Sequence, residues 1–413
     1  MMLMKDSSQN SRAHQITLLA GLYAAQGLPF GFFSLALPVL LREAGWSLTE
    51  ISLLQFLALP WAIKFLWAPV VDHHGSRRTW LLALQCAACG AALLLSQLGL
   101  QTGSVALFVA VFLFNLIAAT QDIVTDGLAV RLLDARERGL ANGIQVGAYR
   151  LGMILGGGLL LWVVARTNWQ VMFLCMAALL AVSTLPVWAL REPPSAPVGA
   201  HKPRGRALSV AWLHRALKPG MLAFAGLIFC YRFGDQMVSS LLTPFLSDQG
   251  VGKETIALMK GAVGSGASVS GAMLGGWLTF RVGRRLAMLV SGLGQAACFC
   301  LYIAAALGMG DVSLLWAATV LEGVTGTMAS VALFTLMMDA ADPQHAGTDY
   351  TLLASVVVLV GGLAGLMGGV LGDALGYAPT FIIGTMLSAV GCVFLVWWLD
   401  RHPTHARVAQ AWR

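Results

Sequence analysis

The chain has 413 residues, of which 58% are hydrophobic and only 11% charged, whereas an ordinary soluble domain carries about 25% charged residues. That balance excludes a water-soluble fold of this length. The net charge of +7 comes without a basic stripe interleaved with exposed aromatics, which argues against a nucleic-acid partner.

The apolar residues fall into blocks long enough to cross a hydrocarbon core about 30 Å thick. In chain order they predict twelve transmembrane helices, at about 16–41, 51–71, 79–99, 104–130, 140–164, 169–190, 221–246, 256–279, 286–308, 313–338, 348–372 and 379–399. The first block is too long for a signal peptide and lacks a small-residue cleavage site, so it is expected to remain as helix 1. Residues 1–15 and 400–413 read as tails and 191–220 as a basic, Pro-containing linker. Residues 16–190 and 221–399 then form two six-helix bundles. With the N-terminus inside, every Lys and Arg of the tails and loops except Arg42, Arg166 and Lys253 falls on the cytoplasmic side. The basic-inside rule thus places both termini in the cytoplasm.

All seven cysteines lie in apolar spans, where they read as small packing residues. Cys86 and Cys89 spell C-x-x-C without a second ligand pair. Neither a G-x-S-x-G nor an H-E-x-x-H motif occurs, so no enzymatic activity is expected. No metal site and no cofactor is expected either, and His73–His74 reads as a solvated loop.

The chain repeats itself at an offset of 208 residues. APVVDHHGSRR from Ala68 matches GGWLTFRVGRR from Gly275, placing Gly75 on Gly283 and Arg77 on Arg285. The same offset puts Asp134 on Asp342, Gly139 on Gly347, and Trp169 with Phe173 on Tyr377 with Phe381. Nearer the start of each half it becomes 205, matching Gly21 to Gly226, Gly45 to Gly250 and Ile51 to Ile256. Two parallel six-helix repeats are a transporter architecture. The loop carrying Asp72, Gly75, Arg77 and Arg78 resembles the G-x-x-x-D-x-x-G-R-[RK] signature of the major facilitator superfamily. It departs at Ala68 and Ser76, and in the second half Phe280 stands in place of the Asp. The resemblance implies an all-α membrane protein with the major facilitator fold. It also implies gating roles for Asp72, Gly75, Arg77 and Arg78, for Arg131, and for Gly283, Arg284 and Arg285. Gly75 suits a turn at positive φ, and Asp72 needs a cationic partner at the end of its span.

An ionisable group at membrane depth is costly unless paired or hydrated. Those inside the spans are Lys64, Asp122, Asp126, Arg150, Arg232, Asp235, Lys260 and Glu322. Asp122 and Asp126 share a face of helix 4, with Gln121 beside them and Asn115 two turns earlier, and are proton-coupling candidates. Depth along the helices alternatively makes Arg150 a partner for Asp122, and Lys64 a partner for Asp126. On helix 7, Arg232 and Asp235 stand one turn apart, followed by Gln236. Arg232 can pair with Asp235 or meet an anionic substrate. Glu322, near the middle of helix 10 and without an obvious local partner, is the preferred proton site, with Asp235 a further candidate. Helix breakers gather in helix 1 (Gly27, Pro29, Gly31), helix 2 (Pro60, Pro69), helix 5 (Gly156–Gly158) and helix 11. The glycines of helices 5 and 11 are expected to allow close packing where the halves meet.

Three stretches narrow the resemblance: AAQGLPFGFFSLALPVLLREAG from Ala24, PWAIKFLWAPVVD from Pro60 and ATQDIVTDGLAV from Ala119. Together they are similar to the branch containing AmpG-like muropeptide permeases and RhtX/FptX-type ferri-siderophore permeases of Gram-negative inner membranes. The likeness covers most of the first half; the second half matches only the superfamily pattern. Room for only twelve spans, and the opening QGLPFGFF, favour the siderophore type. That resemblance implies proton-coupled import of a pyochelin-like iron–siderophore chelate by a monomer in the inner membrane. The alternatives are a muropeptide importer or a drug/proton antiporter. A flat chelate would stack on Tyr23, Phe30, Phe33, Trp61 or Tyr231, with Gln26 and Arg232 as polar contacts. It would need no iron ligand from the protein.

Overall fold

The computed structural model describes residues 3–45, 57, 59–98, 105–133, 137–188, 190, 214–402 and 406–412. Asp134, Ile51 and positions 191–213 of the linker lie outside these residues. The described residues are helical throughout, with short connections and no strand. We label the spans α1 (His14–Leu41), α2 (the broken run Leu59–His73), α3 (Arg77–Gln97), α4 (Val105–Leu132), α5 (Arg138–Arg166), α6 (Trp169–Trp188) and α7 (Pro219–Asp248). The second half continues as α8 (258–282), α9 (284–306), α10 (Val312–Ala340), α11 (Ala346–Leu375) and α12 (Tyr377–Arg401), followed by a short α13 (Ala406–Trp412).

Among the described residues, nine continuous helices are long and apolar enough to cross a membrane, and one of them, Leu258–Ala306, contains both α8 and α9. With α7, whose polar residues lower its hydropathy, and α2, the count reaches the twelve spans expected. The sixth predicted span ends with α6, but the seventh begins slightly earlier than expected, at Pro219, where a proline at the first turn suits a helix start. The C-terminal tail is not all extended chain: α13 buries Val408 and Trp412, and Trp412 donates its indole N–H to Asp400 at 2.9 Å.

The repeat is visible in the backbone. Gly75 (φ 70°) and Gly283 (φ 84°) both take the left-handed conformation at the turns α2–α3 and α8–α9, and Gly45 (φ 88°) and Gly250 (φ 77°) do so after α1 and α7. A β-carbon would strain each of these turns. The aromatic pairs repeat too. Trp169 and Phe173 stand 4.8 Å apart, with Phe173 5.0 Å from Phe32 of α1. Tyr377 and Phe381 stand 5.8 Å apart, with Phe381 5.2 Å from Phe245 of α7.

The chain divides into two compact units. The first contains α1–α4, α5 from Ala148, α6, and the start of α11 (Pro343–Thr351). The second contains α7–α10, α12, α11 from Leu352, and the start of α5 up to Gly147. Large apolar side chains such as Leu94, Val105, Val109, Val182, Leu185, Leu366 and Val390 are exposed. In water so much apolar surface would be a liability, whereas in a bilayer it is the lipid-facing surface.

Backbone irregularities follow the predicted breakers. In α1 a π-helical turn, Phe32–Ala36, follows Pro29 and precedes Pro38, whose missing N–H cannot close the regular ladder. In α2 a 3₁₀ turn, Lys64–Leu66, separates two helical pieces.

The glycines of α5 and α11 require a correction. Gly152 and Gly156 pack against α1, within the same half, and not where the halves meet. A β-carbon at Gly156 would lie 2.0 Å from the Leu28 carbonyl oxygen, while Gly158 meets nothing within 4 Å. In α11, a β-carbon at Gly368 would lie 2.7 Å from the Met237 carbonyl oxygen of α7. Inside the second unit the two sequence halves approach each other through other glycines. There a β-carbon at Gly143 would lie 2.5 Å from the Ala272 carbonyl, and one at Gly139 would lie 2.8 Å from Thr279.

Candidate functional site

In the first unit the polar residues converge from α1, α2 and α4. The 3₁₀ turn of α2 turns Lys64 toward α4, where it is hydrogen-bonded to Asp122 in a buried ion pair. One turn further along α4, Asp126 accepts a hydrogen bond from the Tyr23 hydroxyl at 2.8 Å. Gln26 donates to the Thr125 hydroxyl at 2.8 Å, and Trp61 donates its indole N–H to Asn115 at 3.2 Å. Lys64 also lies 5.5 Å from the Trp61 ring centroid, close enough for cation–π attraction. Aromatic rings continue the wall: Phe30 is 5.8 Å from Trp61 and 5.9 Å from Tyr149 of α5. Gln121 is buried, and its amide nitrogen has no hydrogen-bond partner among the described residues.

In the second unit a polar chain runs across α7, α9 and α10. Arg232 pairs with Asp235 at 2.6 Å, Gln295 donates to Asp235 at 3.1 Å, and the Thr325 hydroxyl donates to the Gln295 carbonyl oxygen at 2.5 Å. Beside it, Lys260 and Glu322 form an ion pair at 3.3 Å, with Lys260 5.9 Å from the Tyr302 ring centroid.

Several sequence expectations change here. Asp122 pairs with Lys64, not Arg150, and Asp126 meets Tyr23. Among the described residues Arg150 makes no hydrogen bond, ion pair or ring contact. Glu322, expected to stand alone, is neutralised by Lys260. Tyr231 is not an open stacking surface: it is 3% exposed and packs against Gly292 of α9. Tyr23 and Phe33 are likewise buried, while Phe30 and Trp61 stay partly accessible. Gln236 lies near Gly361 without a hydrogen bond among the described residues.

Further polar contacts occupy the signature loops, each within its own unit. Asp72, whose side chain is fully buried, accepts from Arg77 at 2.6 Å, from the Thr348 amide and hydroxyl at 2.6 Å each, and from the Gly347 amide at 3.3 Å. It thus sits at the N-terminus of α11, where the helix dipole favours an anion. Gly127 of α4 leaves the room Arg77 fills, since a β-carbon there would lie 2.9 Å from its guanidinium. Arg78 donates to the Trp188 carbonyl at 2.9 Å, and Arg131 donates to the Pro343 carbonyl at 2.8 Å. Gly283 makes the corresponding turn in the second half, where Arg285 chelates Asp400 at 2.9 to 3.1 Å. Sequence reasoning missed Asp339, a fully buried acceptor for Arg138 at 2.9 Å and Arg284 at 2.8 Å. The available signal was a lone Asp closing an apolar span, beside loops rich in arginine.

A family model described as Major Facilitator Superfamily matches residues 19–365 and 224–413. The chain belongs to the major facilitator superfamily. It is 29% identical over 405 residues to the anhydromuropeptide permease of Escherichia coli strain K12, covering 94% of this chain and 81% of that one. It is 22% identical to a transporter of Rickettsia felis named AmpG 4, over 91% of this chain and 94% of that one. Among solved structures, the Escherichia coli fucose:proton symporter superposes with a TM-score of 0.72 at 15% identity, covering 92% of this chain and 98% of that one. That likeness fixes the fold. The chain is thus a multi-pass secondary transporter of the superfamily, and these named relatives are AmpG-type permeases, not siderophore importers.

Proposed function

We propose that the protein is a proton-coupled importer of muropeptides, acting as a monomeric carrier and not an enzyme, in the inner membrane with both termini cytoplasmic. The observation that carries this reading is the likeness to the anhydromuropeptide permease, which runs almost end to end through this chain. A muropeptide is a sugar joined to a short peptide, so it offers hydroxyls, amides and at least one carboxylate. The first unit presents matching chemistry: amide side chains on Gln26, Asn115 and Gln121, and partly accessible rings on Phe30 and Trp61. Such a mixture of apolar wall and a few placed polar groups suits a small solute.

Alternating access needs a group whose state differs between two conformations. Asp126 fits that role. It is buried, held by the Tyr23 hydroxyl, and one helical turn from an Asp122 already neutralised by Lys64. A proton on Asp126 changes the charge of this site without unmaking the Lys64–Asp122 pair.

The test is uptake of radiolabelled anhydromuropeptide into spheroplasts making the chain, against an empty-vector control, with and without a protonophore. Chain-dependent uptake that collapses with the protonophore supports the proposal. The siderophore reading rests on the opening segment from Ala24, and labelled ferri-pyochelin is run in parallel. Uptake of that chelate alone restores the siderophore reading and removes the muropeptide one.

A further inference from the structure

Of the four cations inside the spans predicted from the sequence, the structure neutralises three: Lys64 by Asp122, Arg232 by Asp235, and Lys260 by Glu322. Among the described residues, Arg150 alone of these four has neither an ion pair nor a hydrogen bond. It stands twelve residues into α5, which begins at Arg138, hence about 18 Å along the helix at 1.5 Å per residue. That depth is near the middle of a span of 29 residues, too far from either surface for the guanidinium to reach lipid headgroups by snorkelling. An unpaired guanidinium there is costly, and it is half-buried, so it retains an accessible side. The residue before it, Tyr149, lies against Phe30, which in turn lies against Trp61.

We infer that Arg150 is the receptor for a carboxylate of the transported solute, with the Phe30–Trp61–Tyr149 wall seating the uncharged body of the molecule beside it. A guanidinium matches a carboxylate with two parallel N–H···O bonds, which neither a hydroxyl nor an amide reproduces. The empty-handed cation is therefore a specificity element: the solute supplies the anion that the protein withholds. This assignment rests on the muropeptide reading for the identity of the solute but not for its charge.

The test compares an anhydromuropeptide carrying free carboxyls with the same molecule amidated at those carboxyls, in uptake by the wild-type chain, Arg150→Gln and Arg150→Lys. The wild type is expected to prefer the acid by about 10- to 100-fold in apparent affinity, the range of a charge-assisted hydrogen bond. Arg150→Gln is expected to lose that preference while still carrying the amide, which also shows that the variant is folded. Arg150→Lys is expected to keep a reduced preference, and it decides the matter if the Gln variant fails to reach the membrane. Equal wild-type uptake of acid and amide overturns the inference, as does an undiminished preference in Arg150→Gln. If the wild type carries neither form, the muropeptide reading fails, and the same acid and amide comparison is made with ferri-pyochelin. An acid preference lost in Arg150→Gln then upholds the role of Arg150, and its absence overturns it.

Discussion

The seam between α1 and α5 offers the sharpest packing prediction. Gly27 and Gly31 on α1 face Gly152 and Gly156 on α5, and a β-carbon added at Gly152 would lie 2.1 Å from the Ala24 carbonyl oxygen and 2.9 Å from the Gly27 Cα. Real β-carbons essentially never approach closer than 3.0 Å, so Gly152→Ala must part the two backbones by about 1 Å. Neither obstacle is a flexible side-chain tip that could turn aside. In a bilayer no hydrophobic effect draws helices together, and close van der Waals contact across small residues holds the seam. Overpacking of this kind costs about 1–3 kcal/mol, and the shift also strains Tyr23–Asp126, Gln26–Thr125 and the Phe30–Tyr149 contact. Melting of the purified protein in detergent is expected to fall by several degrees, with a parallel loss of uptake. Gly158→Ala is the control, because a β-carbon there meets nothing within 4 Å. A Gly152→Ala protein that melts and transports like Gly158→Ala refutes the close-approach argument.

Lys64→Ala strands Asp122 as a buried charge and is expected to destabilise by about 3–5 kcal/mol, read as lost membrane protein or a lowered melting temperature. Replacing both Lys64 and Asp122 by leucine should recover most of that loss, and a double variant no better than the single one counts against the pair. Asp126→Asn keeps the shape and removes the exchangeable proton, so solute exchange should persist while protonophore-sensitive accumulation disappears. Glu322→Gln, run beside it, frees Lys260 and should impair exchange and accumulation together; the reverse outcome moves the coupling role to Glu322. Asp72→Ala leaves the α11 N-terminus and Arg77 without their shared acceptor, and should lower the melting temperature more than Asp72→Asn, which keeps a carbonyl for the Thr348 amide.

The architecture was legible because it rests on length and periodicity, which are one-dimensional. Blocks of apolar residues mark spans, and the 208-residue offset foretold that Gly75 and Gly283 would make the same turn and that Trp169–Phe173 and Tyr377–Phe381 would be equivalent. Arg232 and Asp235 could be paired from sequence because both lie on one helix, three residues apart. Asp72 was recognisable as needing a partner, but its chief partners, the amide and hydroxyl of Thr348, are 276 residues away. An amide at a helix start carries no sequence signal of its own. Arg138, Arg284 and Asp339 illustrate the same limit, since their shared bond network joins three separate segments.

Ion pairing inside the spans was misread for a narrower physical reason. Counting residues from a loop gives depth, and depth alone paired Lys64 with Asp126 and Arg150 with Asp122. Choosing between them needs the direction of each side chain around its helix axis, which a regular wheel supplies only while the helix stays regular. Lys64 lies in a 3₁₀ turn and Lys260 in the π-helical turn Ala257–Val263, so each is rotated away from the face its position in the sequence implies. Both prove to be the neutralising partners that helical spacing failed to find. Arg150 lies on the regular part of α5, ahead of the π-helical turn Leu155–Leu159, and has no ion pair among the described residues. Irregular turns thus deliver Lys64 and Lys260 to carboxylates of the protein, whereas Arg232 on regular helix meets Asp235 one turn along its own helix.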